Sequence, residues 1–208
     1  MKSVISATTE QQRRAWSLQI EQHLTALEQW KNSRTILAFL SMDGEVETAG
    51  ILKKALAEKK TVAVPRMHGE EIRFHTIESA AGPWERHRFG VREPSESSPT
   101  IDPCSEGAGQ VMIVTPGLCF DADGGRLGFG KGYYDRLLER CRKSAGERVF
   151  SAAVCFSIQL VDKVPSDDRD HRVNSIVTEK GTVFSRVPTN PKCSRVNGDI
   201  SRTARGKR

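Results

Sequence analysis

The stretch from residue 121 to residue 136 combines glycine, cationic side chains and a carboxylate in a pattern typical of phosphate binding. Arg126 and Lys131 lie within it, Asp135 follows directly, and five glycines fall within nine residues: Gly124, Gly125, Gly128, Gly130 and Gly132. Glycine allows backbone N–H groups to approach a ligand closely, and turns of this kind form nests that bind anions. The cations complement phosphate oxygens, and the carboxylate suits the magnesium ion that accompanies nucleotide phosphates. The stretch therefore predicts a binding site for a nucleoside triphosphate.

Two common nucleotide-binding motifs fit this stretch poorly. Gly125, Gly130 and Lys131 match the spacing of a Walker A loop, but Gly132 stands where that loop needs a hydroxyl group for magnesium. The glycine spacing also departs from the dinucleotide-binding fingerprint, and it lies late in the chain. A glycine-rich turn that binds no ligand is the remaining alternative. The clustering of both cations with the Tyr-Tyr-Asp triplet at residues 133–135 favours a ligand site over that alternative.

Length and composition indicate one globular domain whose cysteines are reduced. The chain of 208 residues is long enough for one well-buried domain, which we expect to span residues 1–184. No apolar run approaches the roughly 20 residues of a membrane span, and the N-terminus lacks an apolar signal segment, so we expect a cytoplasmic protein. The five cysteines are widely spaced and include no C-x-x-C pair, which favours free thiols over a zinc site or disulfides. We expect a monomer.

The positive charge of the chain belongs to its C-terminal end. Residues 185–208 carry seven Lys or Arg and one Asp, so the whole formal net charge of +6 lies there and the preceding 184 residues are neutral. Apolar periodicity ends before this segment, and we expect a basic, disordered tail. An arm that associates with RNA or a membrane is the alternative. Because the tail has no aromatic residue that could stack on bases, we expect no specific nucleic-acid binding.

Hydrophobic periodicity predicts an α/β fold, with a single domain and a mixed, mostly parallel sheet flanked by helices. The order strand, helix, strand over residues 35–65 predicts a parallel pair joined by a helical crossover. The most apolar strand leads into the glycine-rich phosphate loop, which opens a helix and so aims backbone N–H groups at phosphate. Residues 79–109 are rich in Pro, Ser and Gly and indicate a long surface excursion. Helices are predicted over residues 8–30, 48–59 and 133–142, and strands over residues 35–40, 62–65, 72–77, 111–115, 149–156, 175–178 and 182–184.

Residues 115–121 and 126–136 together resemble the 5-formyltetrahydrofolate cyclo-ligase family, also called the 5,10-methenyltetrahydrofolate synthetases. The two runs read TPGLCFD and RLGFGKGYYDR, and the second is highly specific for the family. Weaker similarities occur in the family's order at residues 39–48, 64–66, 89–94 and 175–179. The resemblance extends from residue 5 to residue 184.

The resemblance implies an ATP- and magnesium-dependent enzyme that converts 5-formyltetrahydrofolate into 5,10-methenyltetrahydrofolate, with release of ADP and phosphate. In the implied mechanism ATP phosphorylates the formyl oxygen, N10 attacks, and phosphate leaves as the ring closes. Arg126 and Lys131 would offset the charge on the transferred group, and Asp135 and Asn174 would lie at the magnesium site. The residues implied for ATP are Arg126, Leu127, Gly128, Phe129, Gly130, Lys131, Gly132, Tyr133 and Tyr134, and those implied for folate are Leu40, Glu45, Phe129, Gly130, Lys131, Gly132 and Tyr133.

Several of these residues also have an ordinary structural interpretation. Leu40 ends an apolar strand and fits core packing, Glu45 in a turn fits a solvated charge, and Asp135 fits a helix cap. We expect Tyr134 to pack. The histidines show no ligand spacing with Cys or Asp, and we interpret four of them as structural or surface residues: His68, His75, His87 and His171.

The chain departs from the family pattern at two places. Family members usually carry a longer N-terminal segment with a Lys and an Arg that contact ATP, whereas here the similarity begins near Ile5; a start assigned too late and a reduced set of cations are both open. Second, Asn174 stands where the family has Asp, and an amide oxygen can coordinate magnesium but carries no charge. Compensating carboxylates are available at Asp167, Asp168 and Asp170. We expect weakened magnesium or ATP affinity, and a non-catalytic paralogue that binds folate or nucleotide is the alternative function.

Overall fold

The computed structural model describes residue 5 and residues 7–86, 90–167 and 169–186. Its helices are α1 (Glu10–Ala26), α2 (Glu28–Asn32), α3 (Ala49–Ala57) and α4 (Tyr133–Ser144). The strands are β1 (Thr35–Ala38), β2 (Thr61–His68), β3 (Glu71–Thr76), β4 (Glu85–Arg86), β5 (Arg92–Glu93), β6 (Thr100–Ile101), β7 (Val111–Thr115), β8 (Cys119–Phe120), β9 (Arg126–Leu127), β10 (Val149–Val154), β11 (Ser175–Thr178) and β12 (Gly181–Phe184).

An eight-stranded sheet with the order β12-β11-β10-β7-β1-β2-β3-β6 forms the centre of the domain. The inner strands from β11 to β2 run parallel, and β12, β3 and β6 pair antiparallel at the two edges. The predicted α/β class with a mostly parallel sheet is therefore confirmed. The predicted crossover is also confirmed, because β1 and β2 are parallel and α3 connects them.

Side-chain alternation along the inner strands builds one core on each face of the sheet. In β1, Ile36 and Ala38 pack with the helices α1 and α3, whereas Leu37 packs on the opposite face with α4. The neighbouring strand β7 divides its buried residues between the two cores in the same way. Strands buried on both faces have nearly continuous apolar sequences, which is why β7 was predicted with the observed bounds.

The first predicted helix is divided in two at Leu27. Thr9 caps α1 by accepting a hydrogen bond from the Gln12 N–H (3.1 Å), and the Gln12 side chain accepts one from the Thr9 N–H (3.0 Å). Leu27 then adopts an extended conformation with φ −63° and ψ 140°. The break turns α2 so that Trp30 is buried, and its indole N–H donates to Glu58 at 2.9 Å. Burial of this large side chain explains why the periodicity continued while the helix did not.

The long excursion after β3 packs against the sheet, and Arg66 makes several of the contacts. The Arg66 guanidinium donates to Glu85 (2.7 Å) and to the Pro94 carbonyl oxygen (2.7 Å). Glu93 is buried and accepts a hydrogen bond from the Met67 N–H at 2.8 Å. The excursion contains the β4–β5 ribbon and the edge strand β6, so it has more structure than the predicted loop. Residues 87–89, including the first residue of the family-like segment 89–94, lie outside the described part.

A short hairpin of β8 and β9 follows β7 and takes in the first part of the glycine stretch, residues 121–127. This corrects the expectation that β7 leads directly into the loop and its helix. The predicted tail can be followed only to residue 186, so its disorder and the domain boundary stay predictions. Among the helices of the described residues, none is both long and apolar enough to cross a membrane.

Candidate active site

Two adjoining cavities open where the inner parallel strands end. The large cavity has a volume of about 550 Å³ and is lined by the start of α1, the loop after β1, residues 116–118 and Gln159. The small cavity has a volume of about 160 Å³ and lies among the loop after β1, β2, β5 and the start of α4. Both are bordered by Phe39, Met42, Glu45, Pro116 and Phe129. Because open α/β sheets bind ligands at the carboxyl ends of their strands, the two cavities are the candidate site.

The loop after β1 places Glu45 between the two cavities. The hydroxyl group of Thr48 donates to the Phe39 carbonyl oxygen at 2.6 Å and returns the loop to the end of β1. The Met42 N–H donates to the Glu45 carboxyl group at 2.8 Å. Leu40 is buried and borders the small cavity, so it packs in the core and faces the cavity as well. Leu40 and Glu45, two of the residues implied for folate, therefore lie together.

The environment of Glu45 is unusual for a carboxyl group. Burial raises its pKa to about 7, although the hydrogen bond from Met42 lowers it. A group with this pKa exchanges a proton readily near neutral pH and suits general acid–base chemistry. Burial also raises the pKa of Tyr134, and the charge of Glu45 adds to that effect. The Tyr134 hydroxyl group is buried and has no hydrogen-bond partner within the described residues.

A buried carboxylate shapes the turn of the β8–β9 hairpin. Asp121 accepts hydrogen bonds from the backbone N–H groups of Val164 (2.8 Å), Gly125 (2.9 Å) and Asp123 (3.0 Å). Burial raises the pKa of Asp121, but these hydrogen bonds outweigh burial and leave the pKa below its ordinary value. A Cβ atom on Gly125 would lie 2.4 Å from the Asp121 carboxyl group, so only glycine fits there. Two residues of the glycine stretch thus serve the hairpin rather than a ligand.

Arg126 and Asp135 form a largely buried ion pair at the base of residues 128–132, the glycine loop. Their side chains meet at 2.7 Å and are 3% and 17% exposed, respectively. The guanidinium group of Arg126 also lies 5.7 Å from the centre of the Tyr134 ring. A Cβ atom on Gly128 would approach that guanidinium group to 2.7 Å, so Gly128 makes room for it. The predicted catalytic cation and the predicted metal ligand are therefore neighbours, and in this arrangement each neutralises the other.

Lys131 is the exposed cation of the loop. It has no ion pair or side-chain hydrogen bond to any residue that the structure describes. Gly130 (φ 83°) and Gly132 (φ 64°) have left-handed backbones, and Gly132 precedes the first turn of α4. Free backbone N–H groups at a helix N-terminus attract anions. The loop thus presents an exposed ammonium group and a helix N-terminus at one place, together with the exposed residues Leu127 and Phe129.

The two tyrosines of the triplet differ in their surroundings. The Tyr133 hydroxyl group donates to the Gly69 carbonyl oxygen at 3.1 Å, and the Arg136 guanidinium group lies 5.3 Å from its ring centre. Both tyrosine rings border the small cavity. The prediction that Tyr134 packs agrees with the burial of its hydroxyl group.

The two residues predicted for magnesium are engaged to different degrees. One carboxyl oxygen of Asp135 accepts from Arg126, and its other oxygen has no hydrogen bond within the described residues. A carboxylate with a free oxygen beside the predicted phosphate loop fits magnesium, which binds one or two carboxylates together with substrate phosphates. The Asn174 side-chain oxygen instead accepts from both the N–H and the hydroxyl group of Ser151, each at 2.8 Å. Both lone pairs are used, so Asn174 joins β10 to β11 and does not fit as a ligand in this arrangement.

Within the described residues, no group of three or more His, Cys, Asp or Glu is arranged for a metal ion. Of the carboxylates suggested as compensation, Asp170 borders the same cavity as Asn174 and accepts a hydrogen bond from the Asp167 N–H at 2.8 Å. Asp168 lies outside the described residues. His171 borders a separate cavity near Asn174, and burial lowers its pKa. The assignment of the metal ligands stays a prediction.

Two residues that shape the site have no role predicted from the sequence. Asp121 stands in the family-like run, and two of its three backbone partners, Asp123 and Gly125, lie within the same turn. The amide group of Gln159 donates to the carbonyl oxygens of Gly117 (3.0 Å) and Leu118 (3.1 Å) and fixes one wall of the large cavity. An aspartate two residues before a turn N–H is a local signal that could identify Asp121, whereas Gln159 depends on contacts between distant segments.

The fold and the site define an α/β protein with a ligand cleft beside a glycine loop and a helix N-terminus. The family model described as "5-formyltetrahydrofolate cyclo-ligase family" matches residues 1–179. A mouse protein named 5-formyltetrahydrofolate cyclo-ligase is 33% identical, and the match covers 86% of this chain and 90% of that protein. The chain therefore belongs to the 5-formyltetrahydrofolate cyclo-ligase family, and the prediction of an enzyme of this family is confirmed.

Solved structures agree with this assignment. The NMR structure of an Aquifex aeolicus 5,10-methenyltetrahydrofolate synthetase is 29% identical, has a TM-score of 0.73, and matches 95% of each chain. A Mycoplasma pneumoniae structure titled 5,10-methenyltetrahydrofolate synthetase is 21% identical with a TM-score of 0.65, and covers 86% of this chain and 93% of its own. The second likeness concerns the fold alone.

Proposed function

We propose that this protein converts 5-formyltetrahydrofolate and ATP into 5,10-methenyltetrahydrofolate, ADP and phosphate in a magnesium-dependent reaction. The observation that carries the proposal is the juxtaposition, across Phe129, of the two cavities with the glycine loop and the start of α4. Such a site holds an organic substrate and a phosphate donor side by side. Reactions of this kind need chiefly positioning and charge neutralisation from the protein.

The small cavity suits the pterin ring of the folate. Its walls are mostly apolar or aromatic and include Leu40, Met67 and Tyr133. Glu45 at its edge provides a carboxyl group that can accept hydrogen bonds from the amino and amide N–H groups of the ring. With a pKa of about 7, the same group can also hold the proton that N10 releases when it attacks the activated formyl carbon.

The glycine loop suits the transferred phosphoryl group. Backbone N–H groups of residues 128–132 and the first turn of α4 would hold its oxygens, and Lys131 would offset the charge that develops on them. The bond from the γ-phosphorus to the ADP oxygen breaks while a bond to the formyl oxygen forms. The attack of N10 on the formyl carbon then closes the ring, and the carbon–oxygen bond breaks with release of phosphate.

Arg126 acts differently from Lys131 in this proposal. Its side chain is 3% exposed and pairs with Asp135, so it serves mainly to orient that carboxylate and the Tyr134 ring. Asp135 would hold the magnesium ion through its free oxygen, and the ion would supply charge neutralisation for the phosphates. Of the two residues predicted to be catalytic, Lys131 therefore touches the substrate, whereas Arg126 positions the carboxylate of Asp135.

A non-catalytic protein that binds folate or nucleotide is the second candidate. The observation that favours it is Asn174, because its oxygen is engaged with Ser151 and it brings no negative charge. Under this alternative both ligands would bind, but no methenyl product would form.

The experiment that separates the candidates is turnover of 5-formyltetrahydrofolate with ATP and magnesium, followed by the absorbance of the methenyl product. We expect magnesium-dependent turnover in the full chain and a loss of at least about 100-fold in kcat for Lys131→Ala, the size seen when one charge-stabilising group is removed. Lys143→Ala, on the exposed side of α4, is the matched control and should turn over normally. Binding of both ligands without product would support the second candidate instead.

A further inference from the structure

Cys104 and Cys141 face each other, and neither lines the two cavities that border Glu45. Their sulfur atoms are 3.6 Å apart, close to van der Waals contact. Cys104 is partly exposed in the turn after β6, and Cys141 is buried on the inner face of α4. The proposed reaction uses neither thiol.

Polar contacts hold the turn that carries Cys104 against the helix that carries Cys141. The Cys104 N–H donates to the Asp102 carboxyl group at 3.0 Å, and the same carboxyl group pairs with Arg140 of α4 at 2.9 Å. Arg148 donates to the carbonyl oxygens of Cys104 and Ser105, each at 3.0 Å. The turn is therefore fixed to the helix on both sides of the thiol pair. A disulfide needs a sulfur–sulfur distance of about 2.05 Å, and a rotation of the two side chains can supply the remaining approach.

We propose that Cys104 and Cys141 form a reversible intramolecular disulfide when the protein meets a peroxide. The Cys104 thiolate attacks one peroxide oxygen, the O–O bond breaks, and a sulfenic acid and one water form. The Cys141 sulfur then attacks the Cys104 sulfur, its proton leaves with the departing hydroxyl group as a second water, and the S–S bond forms. Two thiols thus lose two hydrogens while hydrogen peroxide is reduced to two waters.

The order of attack follows from accessibility. Cys104 is the thiol that a peroxide can reach, because it is partly exposed whereas Cys141 is buried. Burial raises the pKa of Cys141, and its neighbour Cys104 adds to this effect, so Cys141 suits the second, resolving step. The disulfide would tie the connection between β6 and β7 to the helix that carries Tyr133 and Asp135 at its start.

The test is peroxide treatment of the full-length protein, followed by non-reducing digestion and mass spectrometry. A glutamate-specific protease cuts after Glu106 and so separates Cys104 from Cys119. We expect a peptide containing Cys104 to be linked to one containing Cys141, with the loss of two hydrogens and reversal by dithiothreitol. Closing this loop should also raise the melting temperature by roughly 5 °C or more.

Two variants make the test specific. Cys104→Ser removes the accessible thiol without opening the core and should abolish both the linked peptide and the rise in melting temperature. Cys119→Ser, a buried cysteine of the β8–β9 hairpin, should leave both unchanged. The proposal is overturned if Cys104 is oxidised to sulfinic or sulfonic acid without a link, or if it links mainly to Cys193. None of these readouts depends on cyclo-ligase activity.

Discussion

At the scale of the residue, Glu45 is the clearest case of a side chain whose position raises the free energy of its charged form. Its folded-state pKa of about 7 lies above the ordinary value of 4.5 because the carboxyl group is buried. Ionisation therefore favours unfolding, and this contribution to stability is full below pH 4.5 and is lost as the pH rises through about 7. Natural sites often retain such a cost because the group is used for chemistry.

We expect Glu45→Gln to remove this pH dependence. The free energy of unfolding of the variant minus that of wild type should be about 1–3 kcal/mol larger at pH 8 than at pH 5. Urea unfolding of both proteins at the two pH values measures the difference, and the exposed neighbour Glu47→Gln is the control. The same difference between variant and wild type at pH 5 and pH 8 would contradict the assignment.

Asn174 tests the metal site at the same scale. A carboxylate in place of its amide can still accept both hydrogen bonds from Ser151 and adds a negative charge. We expect Asn174→Asp to lower the magnesium concentration needed for half-maximal turnover several-fold, with a change in stability of less than about 1 kcal/mol. A magnesium titration of turnover measures this effect. An unchanged magnesium requirement would show that residue 174 lies outside the metal site.

At the scale of the element, the start of α4 depends on the left-handed backbone of Gly132. Its φ is 64°, and an added Cβ atom would lie 2.9 Å from the Arg136 guanidinium group. Gly146 offers a matched control, because its φ is 56° and nothing lies within 4 Å of an added Cβ atom. We expect Gly132→Ala and Gly146→Ala each to lose roughly 1–2 kcal/mol of stability, whereas only Gly132→Ala should raise the KM for ATP by about tenfold or more. Equal KM values for ATP in the two variants would show that the loop lies outside the ATP site.

The elements differ in how far the sequence could predict them. The strand β7 was predicted with its observed bounds because its five residues are apolar or β-branched and all are buried. The β8–β9 hairpin was missed because two-residue strands carry no periodicity and depend on Asp121 to close their turn. Arg126 shows the same limit at the site: composition indicated a phosphate ligand, but its ion pair with Asp135 exists only once β9 packs against α4.

At the scale of the whole molecule, the parallel strands bring together residues that are far apart in the chain. Glu45 follows β1, Pro116 follows β7, and Tyr133 opens α4, yet all three border the small cavity. The order of the inner strands decides this convergence, and no single segment encodes it. The family-specific run at residues 126–136 predicted that a site exists, whereas the two cavities and the place of Glu45 between them required the assembled sheet.

In the proposed reaction the formyl oxygen accepts the phosphoryl group, and an isotope measurement can follow that oxygen into the product. The protein would be given 5-formyltetrahydrofolate labelled with ¹⁸O in the formyl group, together with ATP and magnesium, and the released phosphate analysed by mass spectrometry. We expect one ¹⁸O atom in each phosphate and one phosphate for each methenyl product. Unlabelled phosphate, with the label released into water, would contradict the proposed reaction.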